Sequence, residues 1–169
     1  RTAYGMLQKQ IQDKTAPAAI LPRWYEDLYV VFGRRDGQLG EQFAMELSGP
    51  EPSYWDRAGL AQYWSLRGDD AGYDRAIELQ LELVEITRRE RPEELPMTLS
   101  RLGNYQISRG QNEESLVTFQ EIIDLQPENA QALNNYAYVL ATTMNRPEEA
   151  LPVARKAVES DPRSLEILD

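Results

Sequence analysis

The stretch LSRLGNYQISRGQNEESLVTFQEIIDLQP, residues 99–127, is followed by LNNYAYVLATTMNRPEEALPVARKAVESDP, residues 133–162, and the two can be laid over one another. Leu99 and Leu133 are 34 residues apart, as are Leu102 and Tyr136, and Gly103 and Ala137. Ser115 and Ala150, Phe119 and Ala154, Ile122 and Ala157, and Pro127 and Pro162 are 35 apart. The second copy therefore carries one extra residue, which the alignment places in the turn between Ala141 and Ala150. A period of this size, held through two successive apolar patterns, marks a repeat architecture.

Each copy reads as two helices. In the first, Leu99, Leu102 and Gln106 share a face that ends at Gly110, the residue suited to a left-handed terminator. Asn112-Glu113-Glu114 reads as a cap with an acidic first turn, and Leu116, Phe119, Ile122 and Ile123 follow at spacings of three and four until Pro127 stops the helix. The second copy offers Leu133, Tyr136, Ala137 and Leu140, a turn at Asn145-Arg146-Pro147, and then Ala150, Val153, Ala154, Ala157 and Val158. Pro147 suits a first helical turn, whereas Pro152 falls inside the helix and predicts a lost hydrogen bond or a slight kink.

These residues resemble the tetratricopeptide repeat. The small residues Gly103, Ala137, Ser115 and Ala150 stand where helix backbones approach closely, and the larger ones fill between layers. The resemblance implies an all-α, right-handed superhelical solenoid of antiparallel helix pairs, with repeats at 96–129 and 130–163. Upstream, Leu60-Ala61, Trp64, Gly68, Ala76, Gln80 and Leu83 imitate a divergent repeat over 51–95, with about three extra residues in the turn at Asp69–Tyr73 and a longer second helix running to Pro92. Residues 1–50 read as an N-terminal helical segment, a degenerate repeat at most, built on Trp24, Leu28, Tyr29, Val31 and Phe32, then Leu39, Phe43 and Leu47. Residues 164–169 read as the start of a truncated further helix, which, with the absence of an initiator Met, fits a segment excised from a longer protein.

Composition removes many chemistries. The 169 residues contain no Cys and no His, which excludes disulfides, thiolate nucleophiles, imidazole-dependent triads and Cys- or His-based metal sites. The formal charge is −10, from 18 basic and 28 acidic side chains, a poor match for phosphate backbones, so no nucleic-acid partner is expected. Residues 1–50 are neutral, so the whole surplus lies in 51–169. No apolar run reaches the length of about 20 residues that spans a bilayer, so no membrane insertion is expected. No compartment can be named beyond cytoplasm or periplasm.

The site expected from the resemblance lies on the first helices of the repeats, which line the concave face. It comprises Ser100, Asn104, Ile107 and Ser108 from one repeat, and Gln131, Asn134, Asn135 and Tyr138 from the next, with Met97 and Thr142 beside them. Asn offers two donors and an acceptor for a peptide main chain, and Tyr138 offers an apolar plate with a polar end. Each of these residues also has a plainer reading as a solvated helix position. The carboxylate-clamp subtype of the family is not expected, because Ser100 stands where a Lys is required and Glu166 occupies the next repeat's basic position. The acidic balance instead favours a basic or neutral segment.

Other clusters have structural readings. Trp24-Tyr25, Tyr54-Trp55 and Tyr63-Trp64 read as core before a binding platform. Asp69-Asp70 with Asp74 reads as turn and cap chemistry, since the spacing of a calcium loop is missing. Glu93-Glu94, Glu113-Glu114 and Glu148-Glu149 recur at helix starts, where the dipole favours acids, and Arg88-Arg89-Glu90-Arg91 suits a helix end. No catalytic residue, metal or cofactor is expected. The expected function is a non-catalytic protein- or peptide-binding scaffold. The alternatives are the accessory region of a larger enzyme such as a glycosyltransferase, and a self-associating spacer that forms homo-oligomers.

Overall fold

The computed structural model describes residues 50–161, together with Gln42 and Met45. The expected helices of residues 1–50 and the further helix at 164–169 thus fall outside the described residues, apart from those few positions. The chain divides into two compact units, residues 1–86 and 87–169. Among the described residues all regular structure is helical.

In the first unit, α1 (Tyr54–Ser65) opens on a reciprocal capping box. The Ser53 hydroxyl oxygen accepts from the Asp56 N–H at 3.2 Å, and the Asp56 carboxylate accepts from the Ser53 N–H at 3.0 Å. Its inner face buries Ala58, Leu60, Ala61, Tyr63 and Trp64. The helix ends near Gly68, whose φ of 71° is costly for residues with a Cβ. α2 (Asp70–Glu90) follows directly. Asp69–Tyr73, read from sequence as an enlarged turn, is instead a cap and first helical turn: the Asp69 carboxylate accepts from the Gly72 N–H at 2.7 Å. The extra residues lengthen the helix and not the loop. Ala76, Leu79, Gln80, Leu83 and Thr87 form a buried stripe along it.

The second unit takes the end of α2, a 3₁₀ turn (Pro92–Glu94), and two helix pairs. These are α3 (Leu95–Arg109) with α4 (Asn112–Leu125), and α5 (Ala130–Tyr138) with α6 (Pro147–Ser160). α3 packs on α4, α4 on α5, and α5 on α6, the nearest-neighbour order of stacked repeats. A Cβ added at Gly103 would lie 2.6 Å from the ring of Phe119, which is wholly buried, so the approach of α3 to α4 requires a residue without one. Thr118 on α4 donates to the Gln106 side-chain oxygen on α3 at 2.7 Å inside the same interface. In the next pair the equivalent positions are the apolar Leu140 and Val153, beside Ala137, Ala150 and Ala154.

Two local expectations change. Asn112 is the first helical residue of α4, not its cap; Gln111 holds the cap position without a side-chain bond. The extra residue of the second copy is not in the turn either. Val139–Thr143 form a π-helical turn that continues α5. In the first copy a bond from the Gln111 N–H to the Gln106 carbonyl closes the helix around Gly110, at φ 84°. In the second, Asn145 takes the left-handed position at φ 53°, and the closing bond runs from the Arg146 N–H to the Leu140 carbonyl at 2.7 Å. The closure spans one more residue, and the π turn absorbs it. Pro152 lies inside α6, as expected, and the helix continues through it.

Candidate functional site

α3 and α5, the first helices of the two pairs, carry every residue of the expected site. Asn104, Ser108, Gln131, Asn134 and Tyr138 are exposed, and Ser100, Ile107 and Asn135 are half-buried. The structure joins the helices at one polar contact: the Asn135 side-chain amide donates to the Asn104 side-chain oxygen at 3.3 Å. This leaves Asn104 its NH₂ donors and Asn135 its carbonyl acceptor, side by side. A peptide unit in an extended chain offers the complementary acceptor and donor.

A second convergence lies nearer the start of the two helices. Met97, Ser100 and Gln131 meet around a hollow of about 370 Å³, whose apolar base includes the buried Ile122 and Ala132. Arg101, Gln126 and Asn129 also line it and were not part of the expected site. Asn129 is fixed there by two bonds, accepting from the Ala132 N–H at 3.0 Å and donating to Gln126 at 2.8 Å. Spacing along the first helices could not reveal these groups, because two of them belong to the turn between α4 and α5. Ile107, Ser108, Asn134 and Tyr138 line neither the hollow nor the amide pair; Tyr138 stands beside the π turn, where its carbonyl accepts from the Thr142 hydroxyl at 2.6 Å.

The first unit has a larger hollow, about 640 Å³, lined by Arg57, Leu60, Trp64, Arg67, Arg75 and Glu82 among others. Its charges pair off: Arg57 with Glu82 at 2.9 Å, Arg67 with Asp69 at 2.9 Å and Arg75 with Glu78 at 2.6 Å. The Arg67 guanidinium, and then the Gly72 N–H, hold the Asp69 carboxyl below its ordinary 3.8. Tyr63 and Trp64 meet edge to face at 5.5 Å and are core residues, as their spacing indicated. Tyr54 and Trp55 make a similar contact at 5.1 Å and are half-buried, while Trp24-Tyr25 lies outside the described residues. Glu113-Glu114 and Glu148-Glu149 sit in first turns as expected, whereas Glu93-Glu94 lies in the 3₁₀ turn before α3; Arg146 holds Glu149 below its ordinary 4.5 at the start of α6. Among the described residues no helix is long and apolar enough to cross a membrane, and no group of acidic side chains is arranged to hold a metal.

Residues 130–164 match the family model described as tetratricopeptide repeat. The chain carries a tetratricopeptide repeat. The matched segment contains α5, the π turn and α6, and so includes Gln131, Asn134, Asn135 and Tyr138. The fold is similar to that of a solved structure, MamA AMB-1 in a P212121 crystal form, with a TM-score of 0.63 and 22% identity, over 97% of this chain and 86% of that one. No curated protein sequence matches this chain.

Within the tetratricopeptide repeat, one face of α6 stands apart. Leu151 and Val158 are 35 residues on from Leu116 and Ile123 of α4, which are half-buried, Leu116 against Ala137, Leu140 and Ala150. Leu151 is 54% exposed and Val158 39%.

Proposed function

We propose that the second unit is a non-catalytic protein-binding module, and that an extended segment of the partner lies along the face formed by α3 and α5. The repeats proposed are 96–129 and 130–163, with a divergent one at 51–95. The supporting observation is the Asn104–Asn135 contact, which sets a free donor pair and a free acceptor side by side on adjacent first helices. Tyr138, 52% exposed, supplies contact area at one end of this face, and Met97, 54% exposed, at the other. Hydrogen bonds from both Asn side chains to a main chain fix register without demanding particular partner side chains, as a scaffold requires.

The triple substitution Asn104→Ala, Asn135→Ala, Tyr138→Ala tests this on a verified partner. Affinity should fall by about tenfold or more, the loss of two exposed hydrogen bonds and one aromatic contact. The far-ultraviolet circular dichroism and melting temperature should stay close to those of the parent, since none of the three is buried. Unchanged affinity would remove this face from the binding site.

A second role, self-association through α6, is favoured by the uncovered Leu151 and Val158. Their counterparts on α4 are half-buried, Leu116 against the next helix pair, so a helix from another copy would meet a surface of the kind that a helix covers on α4.

A further inference from the structure

We propose that the α3–α5 face selects a partner segment that carries side-chain carboxylates and lacks Lys and Arg, with Arg101 as the charged contact. The inference rests on the protein-binding role proposed above and narrows it.

The molecule is acidic, yet α3, α5 and the π turn carry no acid, and the carboxylate that lines the hollow, Glu93, comes from the 3₁₀ turn before α3. Arg101 and Arg109 are the charged residues of α3; α5 and the π turn have none. Of the acids in the same unit, Glu113, Glu114, Glu121 and Asp124 sit on α4 and Glu148, Glu149 and Glu159 on α6, while Glu90 ends α2, Glu93 and Glu94 lie in the 3₁₀ turn, Glu128 lies in the turn between α4 and α5, and Asp161 follows α6. At physiological salt, charges beyond about 8 Å are largely screened, so a docked segment responds to the groups it touches and not to the net −10. On α3 and α5 those groups are amides, hydroxyls and a guanidinium, with the Glu93 carboxylate at the rim of the hollow. The overall charge favours basic or neutral segments; the local distribution favours neutral or acidic ones, and at contact distance the local distribution prevails.

Arg101 is the group that separates neutral from acidic. It is exposed, and among the described residues it forms no ion pair, whereas Arg57, Arg67, Arg75, Arg88, Arg91 and Arg146 all do. It stands on the rim of the 370 Å³ hollow above Ile122 and Ala132. A cavity of about 150 Å³ holds a benzene ring, so this hollow admits one Leu or Phe side chain with room to spare. A guanidinium beside an apolar base fits an acidic residue next to a large apolar one. Glu93 shares the rim, but it belongs to the 3₁₀ turn before α3 and not to the helices that would hold the main chain.

Three acetylated and amidated nine-residue peptides test the proposal by fluorescence anisotropy with the full chain. Each has a central Phe in a Ser/Ala/Asn background, flanked by two Asp, by no charge, or by two Lys. The Asp peptide should bind roughly three- to tenfold more tightly than the neutral one, the scale of a partly exposed charge-assisted contact, and the Lys peptide most weakly. Arg101→Gln should bring the Asp peptide to the level of the neutral one, and Arg101→Glu should reverse the order. Asn104→Ala with Asn135→Ala should weaken all three peptides together. Equal binding across the charge classes, indifference to Arg101, or no binding of any peptide at millimolar concentration would overturn the selection. If the double Asn variant binds all three peptides as tightly as the parent does, the peptides bind elsewhere and the α3–α5 face itself is the error.

Discussion

Gly103 shows how one residue sets the distance between two helices. The ring of Phe119 occupies the space a Cβ would take, and that ring is wholly buried with no open direction to swing into. Gly103→Ala should therefore destabilise the protein by about 1–3 kcal/mol in urea unfolding, despite the better helix propensity of Ala. In a Phe119→Ala background the same change should cost nothing, and this coupling in a double-mutant cycle is the decisive readout. The second pair already carries that solution, with Ala137 and Ala154 at the two positions. Sequence marked Gly103 as a site of close approach because of its alignment with Ala137. It could not show that the obstructing group was Phe119, since a 34-residue offset places residues on helices without saying which side chain fills a gap. Likewise the two Asn side chains were legible as neighbours on successive first helices, while Arg101, one position from Ser100, reads in sequence as an ordinary helix-surface cation, because the hollow it lines is completed by Gln126 and Asn129 from outside the first helices.

Helix boundaries followed from punctuation where the chemistry was unambiguous. Gly110 terminates α3, Pro147 opens α6, and Glu113-Glu114 and Glu148-Glu149 lie in the first turns of α4 and α6. Asn112 and Asp69–Tyr73 were misplaced because Asn, Asp and Gly serve both turns and first helical turns, and only the backbone decides between them. The extra residue of the second copy was assigned to a turn because turns usually absorb insertions. Here the helix absorbs it. Thr142 and Thr143 donate their hydroxyls to the carbonyls of Tyr138 and Val139 at 2.6 and 2.7 Å, giving those carbonyls partners within the widened turn. Deleting Thr142 should convert the segment to a regular α-helix in the register of α3, with Asn145 still in the place of Gly110. The variant should fold and melt within a few degrees of the parent, corresponding to about 1 kcal/mol or less. A collapse of the helical signal on deletion would mean that the π turn is needed for α6 to pack.

For the molecule as a whole, the all-α class and the helix pairing were readable because repeats multiply a weak local pattern into a strong one. The distribution of charge was not, since a net count does not distinguish first helices from second ones. The unpaired face of α6 belongs to the same scale. Leu151 and Val158 expose apolar area that their counterparts on α4 do not, and burial of such area gains roughly 25 cal/mol per Å². If copies meet there, light scattering should show mass rising with concentration, and Leu151→Asp with Val158→Asp should return the protein to monomer without lowering its melting temperature. A monomer at every concentration would leave that face to another partner and remove self-association from consideration.

The π turn has a consequence for how such a chain can change over time. A length change in a connecting loop alters how the next element is delivered, and a length change in a regular helix rotates everything after it. By swallowing one residue between Leu140 and Arg146, the second pair keeps both its cap and its packed face in place. The repeat is in this sense a unit of shape and not of length. Insertions and deletions of single residues at this point are a permitted route of divergence, open without any compensating change in the neighbouring pairs.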